Sequence, residues 1–257
     1  LSLRRQRQMC IRDRFMKVLI VHCHPEPASF NAALTNTATE KLENDGHEVV
    51  VSDLYADEFN PVEGPERYTS RRNSSYFQTL DEQRWHYEGD ALAADVRREI
   101  ARLEWAQTII FQCPLWWHGV PAMLKGWFDR VFVYGGLYTG SQRFDRGFLK
   151  GRRALFCMTT GAPETTFAPL GRSGDIAALM WPLHCSLYYV GLSVLPPHLV
   201  YGVQGGGLSY QQDESFRTHL DMAKTYWAER LATLEQDTPI PMSGWEDWDC
   251  LLYTSPS

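Results

Sequence analysis

Residues 17–53 read KVLIVHCHPEPASFNAALTNTATEKLENDGHEVVVSD, and two changes of pattern within them decide the fold. Residues 17–23 are a short run of β-branched and apolar residues, the composition of a buried strand, and Pro25 ends it. An amphipathic helix is predicted over 30–44, with Ser29 at its cap and Gly46 at its stop. Residues 48–53 then give a second strand. Two strands joined through a helix lie parallel, because the crossover has to return over the sheet before the chain can pair again.

The alternation continues outward from this unit. Helices are predicted over 90–103, 121–132, 176–190 and 214–234, and strands over 108–113, 153–159 and 192–200. The helix at 121–132 opens on proline, whose missing N–H is harmless in a first turn. The last helix carries an apolar stripe, Phe216, Leu220, Ala223, Trp227 and Leu231, expected to face the core. Five strands separated by helices predict a single α/β domain over 16–241, a doubly wound five-stranded parallel sheet with helices on both faces. The polar segment 57–89 and the segment 134–150 are read as surface excursions.

Composition narrows the function. Of 257 residues, 44% are apolar and 22% charged, which excludes a disordered chain. Residues 1–15 hold five arginines against Asp13, a net of +4; without them the formal charge of −6 becomes −10, unlike a nucleic-acid binder. LSLRRQRQMCIRDR at the start and LLYTSPS at the end resemble translated sequencing adapter. Residues 1–15 and 243–257 are accordingly set aside as non-native or disordered tails. The charge-free stretch 176–212 is broken by Pro182, Gly191, Pro196 and Pro197, so it reads as helix, turn and strand rather than a membrane span. The six cysteines show no paired spacing, which suits a reducing, cytoplasmic setting.

In a doubly wound sheet, ligands bind beyond the carboxyl ends of the strands. Three loops at that edge stand out: HCHPEPASFN (22–31), PLWWHG (114–119) and TTGAP (159–163). The first ends at a helix N-terminus, where unpaired N–H groups attract an anion; Ser29 and Asn31 add neutral donors, although Ser29 also reads as a plain cap. It lacks both GxGxxG and GxxxxGK[ST]. Trp116 and Trp117 offer a slab for a flat ring, with core packing as the alternative for one of the two. Thr159, Thr160 and Gly161 bring small residues and backbone N–H groups where a ring edge could approach. His22 and His24 share a strand face without a second ligand cluster, so no metal site is assigned. No G-x-S-x-G elbow is present.

FQCPLWWHGVPAMLKGWFDRVF, preceded by HCHPEPASFN and followed by TTGAPETTF, resembles the NAD(P)H:quinone oxidoreductases, the DT-diaphorase group with its bacterial relatives. The likeness runs from about Met16 to Pro241 and includes VVVSDLYADEFNP. It implies a flavodoxin-like fold with strand order 2-1-3-4-5 and a homodimer holding FAD in a site shared between subunits. Hydride would pass from NAD(P)H to the flavin, and two electrons then to a quinone, in ping-pong fashion. By the resemblance, His24, Ser29, Phe30 and Asn31 hold the pyrophosphate and adenosine side. Pro114, Leu115, Trp116, Trp117 and His118 line the ring, and Thr159, Thr160, Gly161 and Ala162 meet its pyrimidine edge. Gln78 and Tyr138 match residues that reach in from the partner subunit, Tyr138 over the substrate pocket. Tyr138, His118 and Gly161 are the candidates for the chemistry.

The chain departs from the family's pattern at several places. Phe167, counted with the cofactor-binding residues, stands where many members have tyrosine, and Ser173 where DT-diaphorase has histidine, a pair given a proton-relay role. His118 replaces a frequent aromatic, Gly140 replaces a pocket tyrosine, and WPLHCSLYYVG is one residue shorter than its counterparts. An FMN-dependent azo- or nitroreductase-like enzyme, or a regulatory flavoprotein subunit of a transport protein, are the alternative readings.

Overall fold

The computed structural model describes residues 15–204 and 214–248. Its elements are β1 (Lys17–His22), α1 (Phe30–Asn44), β2 (Glu48–Asp53), α2 (Thr79–Glu88), α3 (Ala94–Trp105), β3 (Thr108–Pro114), α4 (Ala122–Val131), β4 (Arg153–Thr159), α5 (Ile176–Tyr189), β5 (Ser193–Val194), β6 (His198–Val200) and α6 (Glu214–Ala232). All strand pairs are parallel and the order is β2-β1-β3-β4-β5, with β6 also on β4. This is the doubly wound sheet expected from the alternation of patterns. Alternate side chains of β1 face opposite layers: Leu19 and Val21 pack in the cluster with α3 and α4, Val18 and Ile20 in the cluster with α1 and α6. Trp227 locks the second layer, its Nε1–H donating to the Leu34 carbonyl at 3.2 Å.

The fifth strand position is held by two pieces rather than one run. Leu195 N–H still bonds to Ala154 O at 2.8 Å, but Pro196 and Pro197 have no N–H, so the ladder lapses and resumes at His198. The segment 57–89 is not wholly irregular, since residues 79–88 form α2. The helix gave no apolar period because its inward face is polar: Glu82, Gln83 and His86 are buried. Glu82 accepts from Arg71 Nε at 2.8 Å and from Arg72 N–H at 3.0 Å, which compensates its burial and straps 71–73 to the helix. At the other end, residues 243–248 are not a loose tail. The Trp248 ring lies 4.5 Å from that of Phe144, and Trp245 N–H donates to Asp145 Oδ1 at 2.8 Å. Residues 1–14 and 249–257, the rest of both expected tails except exposed Phe15, lie outside the described residues. No described helix is long and apolar enough to cross a membrane.

His198, packed on Trp227 at 4.6 Å, has its pKa driven from 6.5 down to about 4, first by burial and then by Arg230. The unfolded chain takes up this proton below pH 6.5, whereas the folded chain does so only near pH 4. Stability is therefore greatest above the unfolded pKa and is lost as the pH falls through this window. Burial lowers His22 and His184 as well, adding in the same sense. The melting temperature of His198→Gln is expected to fall less steeply than wild type between about pH 7 and 5. Parallel curves would refute the assignment to His198.

Candidate active site

All three loops converge at the carboxyl edge of the sheet, around a cleft of about 700 Å³. The first leaves β1 and enters α1. Ser29 is a cap, its Oγ accepting from Ala32 N–H at 3.1 Å, while the N–H groups of Phe30 and Asn31 have no acceptor among the described residues. His24 Nδ1 lies 3.1 Å from Glu26 N–H and 3.3 Å from the Glu26 carbonyl oxygen, so the backbone of Glu26 fixes the ring through Nδ1 and leaves Nε2 without a partner among the described residues. The His24 ring meets the Trp116 ring edge-on at 5.8 Å.

A buried hydrogen-bond chain sets the spacing of the walls. Gln112 Nε2 donates to Asn31 Oδ1 at 2.9 Å, and Asn31 Nδ2 donates to Thr159 Oγ1 at 2.9 Å. Asn31 thus ties α1 to β3 and β4; its side chain is engaged in holding the site as well as lining it. Leu115 N–H donates to Thr159 O at 2.8 Å, which places the second loop beside the third.

The second loop is a tight reversal. Trp116 and Gly119 exchange two backbone hydrogen bonds of 3.0 Å, and the residues between them, Trp117 (φ 51°) and His118 (φ 60°), are both left-handed. Two such residues in the middle of a two-residue turn match type I′, normally filled by Asn and Gly. Bulky residues there store strain, which persists where surrounding structure enforces it and often marks functional positions. Neither indole packs in the core, contrary to the alternative weighed for one of them: Trp116 is 41% exposed and Trp117 98%. Both line the cleft, whereas His118 is exposed at the turn and is not among the lining residues.

In the third loop, Thr160 closes its own turn. Its Oγ1 donates to Ala162 O at 2.9 Å and accepts from Ala162 N–H at 3.1 Å, and its N–H bonds to Val200 O. Thr160 is therefore structural here. The Gly161 N–H has no acceptor among the described residues, and a Cβ at Gly161 would lie 2.5 Å from Gln204 Oε1. Val203 and Gln204 also line the cleft and were missed in the sequence. The rule that loops after the strands form the site would have found them, since they follow β6.

Other sequence-predicted residues lie elsewhere. Tyr138 faces a second hollow of about 620 Å³ with Leu80, Phe128, Phe132 and Tyr189. Gln78 is exposed at the cap of α2, next to Thr79 and Leu80 of that same hollow. Within one chain, neither reaches the cleft. Phe167 is buried against Tyr201, ring centroids 5.6 Å apart, and does not line the cleft. Ser173, which stands at the family's histidine position, is partly buried and donates to Thr166 Oγ1 at 2.8 Å.

Comparison with known proteins follows the same outline. A family model described as "Flavodoxin-like fold" matches residues 16–224. Ribosyldihydronicotinamide dehydrogenase [quinone] of Mus musculus is 37% identical over 226 residues, 87% of this chain and 94% of the relative. NAD(P)H dehydrogenase [quinone] 1 of Cavia porcellus is 35% identical over 226 residues, 87% and 79% of the two chains. Among solved structures, a Klebsiella pneumoniae protein described as a candidate quinone reductase superposes with a TM-score of 0.82 at 34% identity, covering 91% of each chain. Matched along most of its length to enzymes named for quinone reduction and folded as they are, the chain belongs to the NAD(P)H:quinone oxidoreductase family of flavodoxin-like enzymes.

Proposed function

We propose that this oxidoreductase holds FAD in the 700 Å³ cleft and passes two electrons from NAD(P)H to a quinone through it, one substrate leaving before the other enters. The observation that carries the reading is the pair of solvent-facing indoles on a strained turn, lining one cleft with Thr159, Gly161 and Ala162 and with an open helix N-terminus. Exposed tryptophans are costly in water and stack readily on a flat ring.

The residues fit that group. Phe30 and Asn31 N–H, with the helix dipole behind them, and the unpartnered Nε2 of His24 would hold the pyrophosphate. Leu115, Trp116 and Trp117 would flank the ring. FAD bound there would supply the two-electron redox chemistry that no side chain of this site provides. The Gly161 N–H is a fixed donor for negative charge developing on the ring's pyrimidine edge, and a donor fixed in advance needs no reorganisation during the reaction. Phe167 carries no exchangeable proton and the Ser173 hydroxyl donates to Thr166, so neither serves as a relay. Proton delivery falls to water, since His118 stands outside the cleft lining.

The same reading makes the active unit a homodimer, with the partner's Tyr138 over the acceptor and the partner's Gln78 reaching the cofactor. The purified protein is expected to be yellow, to elute as a dimer, to release FAD on heating, and to give parallel double-reciprocal plots with NAD(P)H and a quinone. Released FMN would overturn the cofactor assignment alone. A colourless protein that takes up neither flavin would overturn the whole proposal.

A further inference from the structure

One wall of the second hollow is held from outside it. Tyr138 and Tyr189 meet edge to face there, ring centroids 5.2 Å apart. The Tyr189 hydroxyl accepts a hydrogen bond from Arg143 Nη1 at 2.9 Å. The Arg143 guanidinium lies 5.6 Å from the Tyr189 ring centroid and 5.6 Å from that of Trp245. Trp245 is itself anchored, through its N–H to Asp145 and through the neighbouring ion pair of Arg146 with Glu246. Between the two arginines, Phe144 takes a left-handed φ of 57° that sets its ring 5.0 Å from Tyr189.

These contacts form one chain from the C-terminal segment to the hollow. A tyrosine at the rim of a cavity swings between rotamers unless both its ring and its hydroxyl are held. Arg143 holds both: it donates to the oxygen and lies near the π-face, and it is fixed in turn by the indole of Trp245.

We infer that Arg143 is a positioning residue for acceptor specificity, clamped by Trp245 and acting through Tyr189 to size the pocket that one subunit lends to its neighbour's cleft. The inference rests on the proposed function, in which Tyr138 and the wall beside it serve the neighbouring subunit. Arg143 touches no substrate in this scheme; its effect is on the freedom of the Tyr189 ring.

The test compares kcat/KM for a compact acceptor, benzoquinone, with that for a bulkier one, a 2-methylnaphthoquinone. Arg143→Met is expected to shift the ratio toward the bulkier quinone by about fivefold, chiefly through its KM, with flavin content per chain at the wild-type level. Tyr189→Phe, which removes only the hydroxyl, should shift the ratio in the same direction, and keeps the idea testable if Arg143→Met fails to fold. Added to Tyr189→Phe, Arg143→Met should change the ratio by less than about twofold, as expected for a residue acting through Tyr189. Arg143→Lys, which can still donate, should partly restore the wild-type ratio. A ratio unmoved in both single variants of an active, flavin-bearing enzyme overturns the inference alone. A wild-type protein without flavin or quinone reduction overturns the functional reading, and this inference with it.

Discussion

Glu99→Ala is expected to lower the free energy of unfolding by about 3 kcal/mol, a large part of what holds a domain together. Glu99 is fully buried, yet its carboxylate is completely engaged: Oε2 accepts from Ser52 Oγ at 2.7 Å and Trp127 Nε1 at 3.0 Å, and Oε1 from Arg102 Nη1 at 2.7 Å. Through these bonds one side chain of α3 pins β2 and α4. Removing it leaves a hydroxyl and an indole N–H without an acceptor inside the core. Arg102 keeps Asp57 at 2.8 Å and reaches solvent, which places the expected loss at the lower end for a broken buried pair. Urea unfolding measures it, and a loss below about 1 kcal/mol would mean that water reaches the site and replaces the carboxylate. Glu99→Gln keeps one acceptor and should lose less.

Trp117→Ala should weaken flavin retention by at least about tenfold, the equivalent of one lost aromatic stacking contact. Its melting temperature without cofactor should hardly change, because the indole is 98% exposed and packs against nothing in the core. Trp105→Ala is the opposite case. Trp105 lies against the core cluster under the Lys17 ammonium, 5.7 Å from its ring centroid, so its loss should lower stability and leave flavin content alone. Fluorescence titration of the cofactor-free proteins with FAD separates the two, and equal affinities in both variants would remove Trp117 from the site. The contrast also explains the strained turn. The left-handed backbone at Trp117 and His118 carries the Trp117 indole into solvent on the rim of the cleft.

Much of this was legible from one end of the chain to the other. The strand, helix and strand of residues 17–53 imposed a parallel sheet. The rule that ligands gather at the carboxyl edge then picked the loops at 22–31, 114–119 and 159–163, all of which line the cleft. Less legible was any position where a side chain's partner lies far away in sequence. The helix α2 escaped notice because Glu82, Gln83 and His86 point inward, and a polar inward face has no hydrophobic period to detect. Asn31 read as a ligand donor, yet its amide is locked between Gln112 and Thr159, 81 and 128 residues away.

By itself, then, the order of residues determined the parallel α/β sheet, the two apolar layers and the edge at which the candidate cleft opens, since these follow from local periodicity and the handedness of crossovers. Only the tertiary structure decided which candidates share a cavity. It put Tyr138 in a hollow away from the cleft, turned both indoles outward, and clamped the Tyr189 ring with Arg143 and Trp245. The physical reason is range: periodicity acts within a few residues along the chain, whereas a pocket wall is assembled by packing and hydrogen bonds between segments that the sequence keeps a hundred residues apart.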